Sequence, residues 1–314
     1  FIDEPEAFLH PPLVRKLARQ LVSIAKELNV QFFVATHSAD LVESFASAGA
    51  DVNIIRLTYS SDHPTARLLD SASLRQLALD PLLRAESTLS ALFHDGAVVC
   101  EAAADRVLYR EVNERLLLSG DEHGVESCTF LNAQNWQTVP RIIEPLRKMG
   151  VAAAAILDAD VLFGRELGAV LDAAQVPKIR RNSCLEQRTK LKEQIVKRLQ
   201  PGDGKLQLKG DVIAKLKKSE ATVFKEICND MAAYGVFLVP VGELEDWLSY
   251  LGLKRSTEKL NWLRTALDRM GIEPEAEGYV RPGENDIWQF MREVNRWIRD
   301  PDRKGTSLTP HQDE

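Results

Sequence analysis

The sequence predicts an α/β protein built on parallel sheet, with helices flanking the strands. Three observations carry that expectation. Short apolar runs alternate with stretches of helical periodicity, the pattern of strand–helix–strand units. Two of the runs, residues 97–100 and 152–157, are apolar enough to be buried strands. Carboxylates follow directly on these runs, where the carboxyl ends of parallel strands open toward ligands.

From its start, Phe1-Ile2 reads as the end of a buried strand that delivers Asp3-Glu4-Pro5-Glu6. A helix over 11–28 repeats Leu13, Leu17, Leu21, Ile24 and Leu28 at helical spacing. A strand over 30–36 ends in His37-Ser38, and Ser38 can cap a helix over 39–45. Residues 51–58 read as a further strand of the same parallel arrangement, closing a first region over 1–70. The leucines of 71–93 predict a packed helical connector, taken as 71–95.

The strand over 97–100 ends at Glu101, and a helix from about 102 puts Asp105 one turn on. Side chains four apart share a helix face, so the two carboxylates can act together. A strand over 128–131 and a helix over 140–149 follow. The strand over 152–157 ends in Asp158-Ala159-Asp160, and alternate residues of an extended chain point the same way. The last strand, 236–240, leads into Glu243-Leu244-Glu245-Asp246-Trp247-Leu248. Carboxylates gathered at strand ends without Lys or Arg between them repel one another unless a cation neutralises them. An oxygen-rich site of this kind suits Mg²⁺ or Mn²⁺.

Between these strands, residues 164–234 form a helical insertion rich in Arg180, Arg181, Arg188, Lys190, Lys192, Lys197, Arg198, Lys205, Lys209, Lys215, Lys217 and Lys218, interrupted by Pro201-Gly202-Asp203-Gly204. In a chain of net charge -6 this is the expected phosphate-contacting surface. Residues 256–300 read as helical, with Trp262, Leu263, Leu267, Trp288, Phe290, Met291, Val294 and Trp297 forming a core or docking face. Residues 301–314 read as a disordered polar tail.

Composition excludes several classes. No apolar run approaches the roughly 18 residues a membrane helix needs. The four cysteines, Cys100, Cys128, Cys184 and Cys228, form no C-x-x-C pair, which argues against a zinc site or disulfide framework and fits a cytoplasmic setting. The opening residues lack an initiator Met and the layout of a signal peptide, so the chain reads as part of a longer one.

Two resemblances sharpen the reading. Phe1-Ile2-Asp3-Glu4-Pro5-Glu6 with Leu9-His10-Pro11 resembles the Walker B and D-loop region of ABC-type ATPases, and Ala35-Thr36-His37-Ser38 resembles their H-loop. The resemblance implies that Asp3 is a ligand to Mg²⁺, Glu4 the base that activates water and His37 a contact to the γ-phosphate of ATP. A G-x-x-x-x-G-K-[ST] loop is absent from the sequence, so ATP binding is expected only with a further part of the ATPase.

Cys100-Glu101-Ala102-Ala103-Ala104-Asp105 resembles the Glu-Gly-x-x-Asp element of Toprim domains, with alanines where a Gly is usual. Ile156-Leu157-Asp158-Ala159-Asp160 resembles their Asp-x-Asp element. With the later Glu-bearing segment 242–248, the order of motifs resembles the OLD (overcoming lysogenization defect) family, which joins an ABC-type ATPase to a Toprim nuclease. The resemblance implies a Toprim-like domain over 96–255 and a two-metal DNA endonuclease. Glu101, Asp105, Asp158, Asp160 and Glu245 would then be metal ligands, Glu243 competing for the last place. Lys254 and Lys259 both stand as the basic residue facing the phosphate. DNA is the implied substrate, with a homo-oligomer through the ATPase half, an accessory protein and phage defence as further expectations. A topoisomerase- or primase-like Toprim protein and a non-catalytic repair or partner-binding module remain the alternatives.

Overall fold

The computed structural model describes residues 1–49, 51–60, 63–79, 88–164, 167–199, 210–254 and 258–306. It divides into two compact units. The first comprises Phe1–Asp95 with Lys148–Val151, the second Gly96–Arg147 with Ala152–Ser307. No described helix is long and apolar enough to cross a membrane.

In the first unit, β1 (Ile2–Asp3) pairs in parallel with β2 (Val34–Ala35), so the expected strand over 30–36 is reduced to its last residues. Helix α1 (Pro11–Leu28) starts on proline, whose missing N–H costs nothing at that position, and ends at Asn29 in the left-handed conformation. Helix α2 (Ala39–Ser47) is capped as expected: the Ser38 hydroxyl accepts the Leu41 N–H at 3.2 Å.

The buried face of α1 is Val14, Ala18 and Val22, with Val14 and Ala18 packed beside Leu41 of α2. Leu13, Ile24 and Leu28 are exposed. The two stripes are offset by one residue, and the small Ala18 lets α2 approach closely. The strand read at 51–58 does not join β1 and β2. It is β3 (Ile54–Ser60), paired antiparallel with β4 (His63–Leu69). The hairpin turns Arg56 inward, where its guanidinium donates to the carbonyls of Leu92, His94 and Met149. Ile55, Leu57, Tyr59 and Leu68 are left exposed. The connector contains α3 (Ser71–Leu79) and a 3-10 turn (Thr88–Phe93), while 80–87 lie outside the described residues.

The second unit is built on four parallel strands: β5 (Gly96–Cys100), β6 (Cys128–Asn132), β7 (Ala152–Leu157) and β8 (Val236–Leu238), in the order β6-β5-β7-β8. Every residue of β5 and β7 is buried, as expected of central parallel strands covered on both faces. The helices are α4 (Ala103–Leu118), α5 (Val139–Lys148), α6 (Leu167–Ala173), α7 (Lys178–Leu199), α8 (Gly210–Ile213), α9 (Lys218–Ala232), α10 (Lys259–Met270) and α11 (Ile287–Arg299).

The C-terminal helices belong to this core. Trp262, Leu263, Trp288, Phe290, Met291, Val294 and Trp297 are buried with Leu108, Val112 and Leu116 of α4 over Val98, Ala154 and Ile156 of the sheet. Arg115 of α4 donates to the carbonyls of Met270, Gly271 and Val280, closing the end of α10. Residues 301–306 are not a loose tail. The buried Arg147 guanidinium donates to Gly305 as well as to Ala153, Ala174 and Gly235, and Thr306 is buried. A polar segment that supplies carbonyls to a buried cation has reason to be ordered. Gly235 turns the chain into β8 with φ +69°, and a Cβ there would overlap the Trp297 ring.

The basic insertion folds as α6 to α9. Helices α7 and α9 pack together, and Arg198 clamps Glu220 through two hydrogen bonds of 3.1 and 2.6 Å. The expected break at 201–204, with Lys205 and Lys209, falls outside the described residues.

Candidate metal centre at the strand ends

The carboxyl edge of the four-stranded sheet gathers the acidic residues. Glu101 directly follows β5, and its Oε1 accepts the backbone N–H of Asp158, the residue after β7, at 2.8 Å. Asp105 sits in the first turn of α4, its Oδ2 accepting the Ala102 N–H at 3.0 Å. Ala102 itself is extended, with φ -132° and ψ 165°. The turn after Glu101 therefore needs no glycine, and the alanines at 102 and 103 fit it.

Asp158 does not continue the strand. It stands at the head of a 3-10 helix (Ala159–Phe163) that carries the half-buried Asp160 in its first turn. Strand alternation thus does not bring the two aspartates together, although the charge of Asp160 is felt at Asp158. Glu245 lies in a short 3-10 turn (Leu244–Asp246) after β8. Its neighbour Glu243 precedes that turn, and its charge acts on both Asp158 and Glu245.

Lys259 enters from the first turn of α10. Its Nζ donates to Asp158 Oδ2 at 3.1 Å and lies 3.9 Å from Asp105 Oδ1. The other lysine raised by the sequence, Lys254, is exposed. The cluster thus has a cation among its acids. Among the described residues, no three His, Cys, Asp or Glu side chains stand ready-arranged to hold a metal.

The electrostatics follow from burial and crowding. Burial, then the charge of Asp158, pushes Glu101 up to about 8. Burial pushes Asp105 up to about 7, with the charges of Asp158 and Glu245 adding and Lys259 opposing. Asp158 and Glu245 are also raised, again mainly by burial. Burial lowers Lys259, but Asp105, Asp158 and Glu245 together outweigh it and raise the ammonium. Two oxygens, Asp105 Oδ1 and Glu245 Oε2, are buried without a hydrogen-bond partner. An all-oxygen donor set with two buried oxygens lacking hydrogen bonds has the chemistry that a hard divalent cation takes, although the side chains as they stand are not gathered around one point.

Support for the site comes from Tyr109, a residue the sequence did not single out. Trp247 Nε1–H donates to Tyr109 Oη at 3.0 Å, and Tyr109 lies one turn beyond Asp105 on α4. The only sequence signal was that four-residue spacing.

Near the start of the chain, β1 and β2 deliver Glu4 and His37 to one edge, with His37 Nε2 3.5 Å from Glu4 Oε1. Glu4 adopts a φ of +41°, and Asp3 beside it is exposed. Thr36 donates its hydroxyl to Glu6 and accepts the Ser38 N–H.

The basic helices lie beside the acidic edge. Helix α7 packs on the turn that follows Asp158, and Lys192 donates to the Phe163 carbonyl at 2.8 Å. Lys190, Arg181 and Arg198 are spent on Glu186, Asp172 and Glu220. Lys178, Arg180, Lys197, Lys215, Lys217 and Lys218 are exposed.

Comparison with known proteins gives two matches. Residues 1–43 match the family model described as "AAA domain, putative AbiEii toxin, Type IV TA system". The chain is 25% identical over 172 residues to the Old nuclease of Escherichia phage P2, an alignment covering 52% of this chain and 28% of that protein. The chain therefore spans under a third of that relative's length. It is similar to an AAA-type ATPase domain at its start and, over about half its length, to a nuclease.

Proposed function

We propose that this chain is the nuclease-bearing part of an ATPase-coupled enzyme, a Toprim-type endonuclease that hydrolyses DNA phosphodiesters with Mg²⁺ or Mn²⁺. The carrying observation is the set of four carboxylates, Glu101, Asp105, Asp158 and Glu245, around one edge of a parallel sheet with two buried oxygens unbonded. The similarity to Old nuclease supports the same class.

Glu101, Asp105, Asp158 and Glu245 would hold the cations, with Asp160 and Glu243 at the margin. When bound, the ions supply Lewis-acid activation of water and neutralise charge on the phosphate. Glu101 also keeps the end of β7 in place through the Asp158 N–H, so ligand and scaffold are one residue. Lys259, held by the carboxylates of Asp158 and Asp105, can turn its ammonium to a non-bridging phosphate oxygen and stabilise the charge that develops there. The exposed lysines and arginine of α7 to α9 contact flanking phosphates, a sequence-independent attraction. Glu4 and His37 serve ATP only together with a phosphate-cradling loop that this chain lacks.

One observation favours a second reading. The Lys259 ammonium sits among the acids and neutralises part of their charge, as in a DNA-repair or partner-binding module whose acids are structural. Incubating labelled DNA with the chain in Mg²⁺, Mn²⁺ or EDTA separates the two. Cleavage confined to the metal samples supports the nuclease, and binding without cleavage supports the module.

A further inference from the structure

Glu245 lies far along the chain from Asp105, and its Oε2 is buried without a hydrogen bond. With no side-chain bond to that oxygen, the placement of the carboxylate depends on its backbone. That backbone is a short turn after β8, fastened at two points that are not in the sheet. Trp247 donates its indole N–H to Tyr109 at 3.0 Å, and both side chains are buried. Phe290 of α11 packs on both rings, with centroids 5.3 Å from Trp247 and 5.9 Å from Tyr109. One residue further along the chain, the Leu248 N–H donates to Asp286 Oδ2 at 3.1 Å. Leu248 and Asp286 are both non-glycine residues with positive φ, +55° and +64°, a conformation that persists only where surroundings hold it.

Tyr109 shares the α4 face of Asp105, four residues away. The Trp247 bond therefore ties the turn bearing Glu245 to the helix bearing Asp105. Asp286, at the head of α11, holds the residue next to Trp247 in the same segment. We infer that Tyr109 and Asp286 are positioning residues that set Glu245 against Asp105, and so set the affinity of the carboxylate cluster for a divalent cation. The inference rests on the metal-dependent reading above. Neither residue is placed to touch substrate; each acts through the backbone of the Glu245 turn.

The experiment is calorimetric titration of Mn²⁺ into the 314-residue chain without DNA. The wild type is compared with Tyr109→Phe and Asp286→Ala, and with Ile143→Val as a core variant outside this network. Each positioning variant is expected to weaken Mn²⁺ binding about three- to tenfold, the effect of losing one hydrogen bond of ordinary strength. Ile143→Val is expected to lower the melting temperature and leave binding unchanged. Asp286→Ala reads the same quantity if Tyr109→Phe fails to fold. Wild-type Mn²⁺ affinity in the folded positioning variants overturns the inference while leaving the metal site standing. No Mn²⁺ binding by the wild type removes the metal reading and the inference together.

Discussion

The backbone N–H of Asp158 donates to the carboxylate of Glu101 at 2.8 Å, joining the ends of two adjacent parallel strands, β5 and β7. This bond separates two roles of Glu101. Glu101→Gln keeps an acceptor for the N–H and loses the charge, so it should fold normally and lose metal-dependent cleavage. The loss should be about a hundredfold or more, beyond the effect of removing an outer partner of a metal ligand. Glu101→Ala should be equally inactive and less stable by about 1–3 kcal/mol, the cost of an unsatisfied buried donor. Urea denaturation beside a cleavage assay checks both.

Stability without metal should fall as pH rises. Glu101 and Asp105 have their folded values raised from 4.5 to about 8 and from 3.8 to about 7. Between the lower and upper values the folded chain holds protons that the unfolded chain has released, so raising the pH favours unfolding. Melting in EDTA should be highest near the low end of that window and decline toward pH 8. Mn²⁺ should raise the melting temperature more at pH 8 than at pH 5.5, because it replaces those protons. A melting temperature independent of pH across the window contradicts the burial of the cluster.

The basic helices should bind phosphate without reading sequence. Reversing Lys197, Lys217 and Lys218 to Glu, all exposed, should weaken DNA binding and flatten its dependence on salt. For every phosphate no longer neutralised, the slope of log affinity against log salt should shrink by about 0.9. Fluorescence anisotropy in EDTA at two salt concentrations measures this without cleavage. Unchanged slopes would remove α7 and α9 from the DNA surface.

ATP should be neither held nor hydrolysed by this chain alone. Glu4 and His37 face one another at 3.5 Å, but no phosphate-cradling loop is present in the sequence. Phosphate release above background that Glu4→Gln abolishes would contradict this.

The sheet of the second unit was legible because its strands are short, buried runs. The expected 152–157 is the observed β7, and 97–100 differs from β5 by one residue. The hairpin partner β4 was missed because His63–Leu69 carries Pro64 and Arg67, which break the apolar pattern. Helix α1 carries two adjacent apolar stripes, and tertiary packing decides which of them is buried. The convergence of Glu101, Asp105 and Asp158 at one sheet edge was legible from their place after strands and within a first helical turn. What the sequence concealed was distance: Lys259 reaches Asp158 from 101 positions away, and the choice between it and Lys254 depended on where α10 begins.

Metal-dependent DNA cleavage at the Glu101–Asp158 edge is tested with supercoiled plasmid incubated with the chain in Mg²⁺, Mn²⁺ or EDTA, beside an Asp158→Ala/Asp160→Ala variant shown to be folded. Nicked or linear plasmid is expected in Mg²⁺ or Mn²⁺, none in EDTA, and none from the variant. Cleavage that survives in EDTA or in the variant, or a folded wild-type chain that leaves the plasmid intact with either metal, would contradict it.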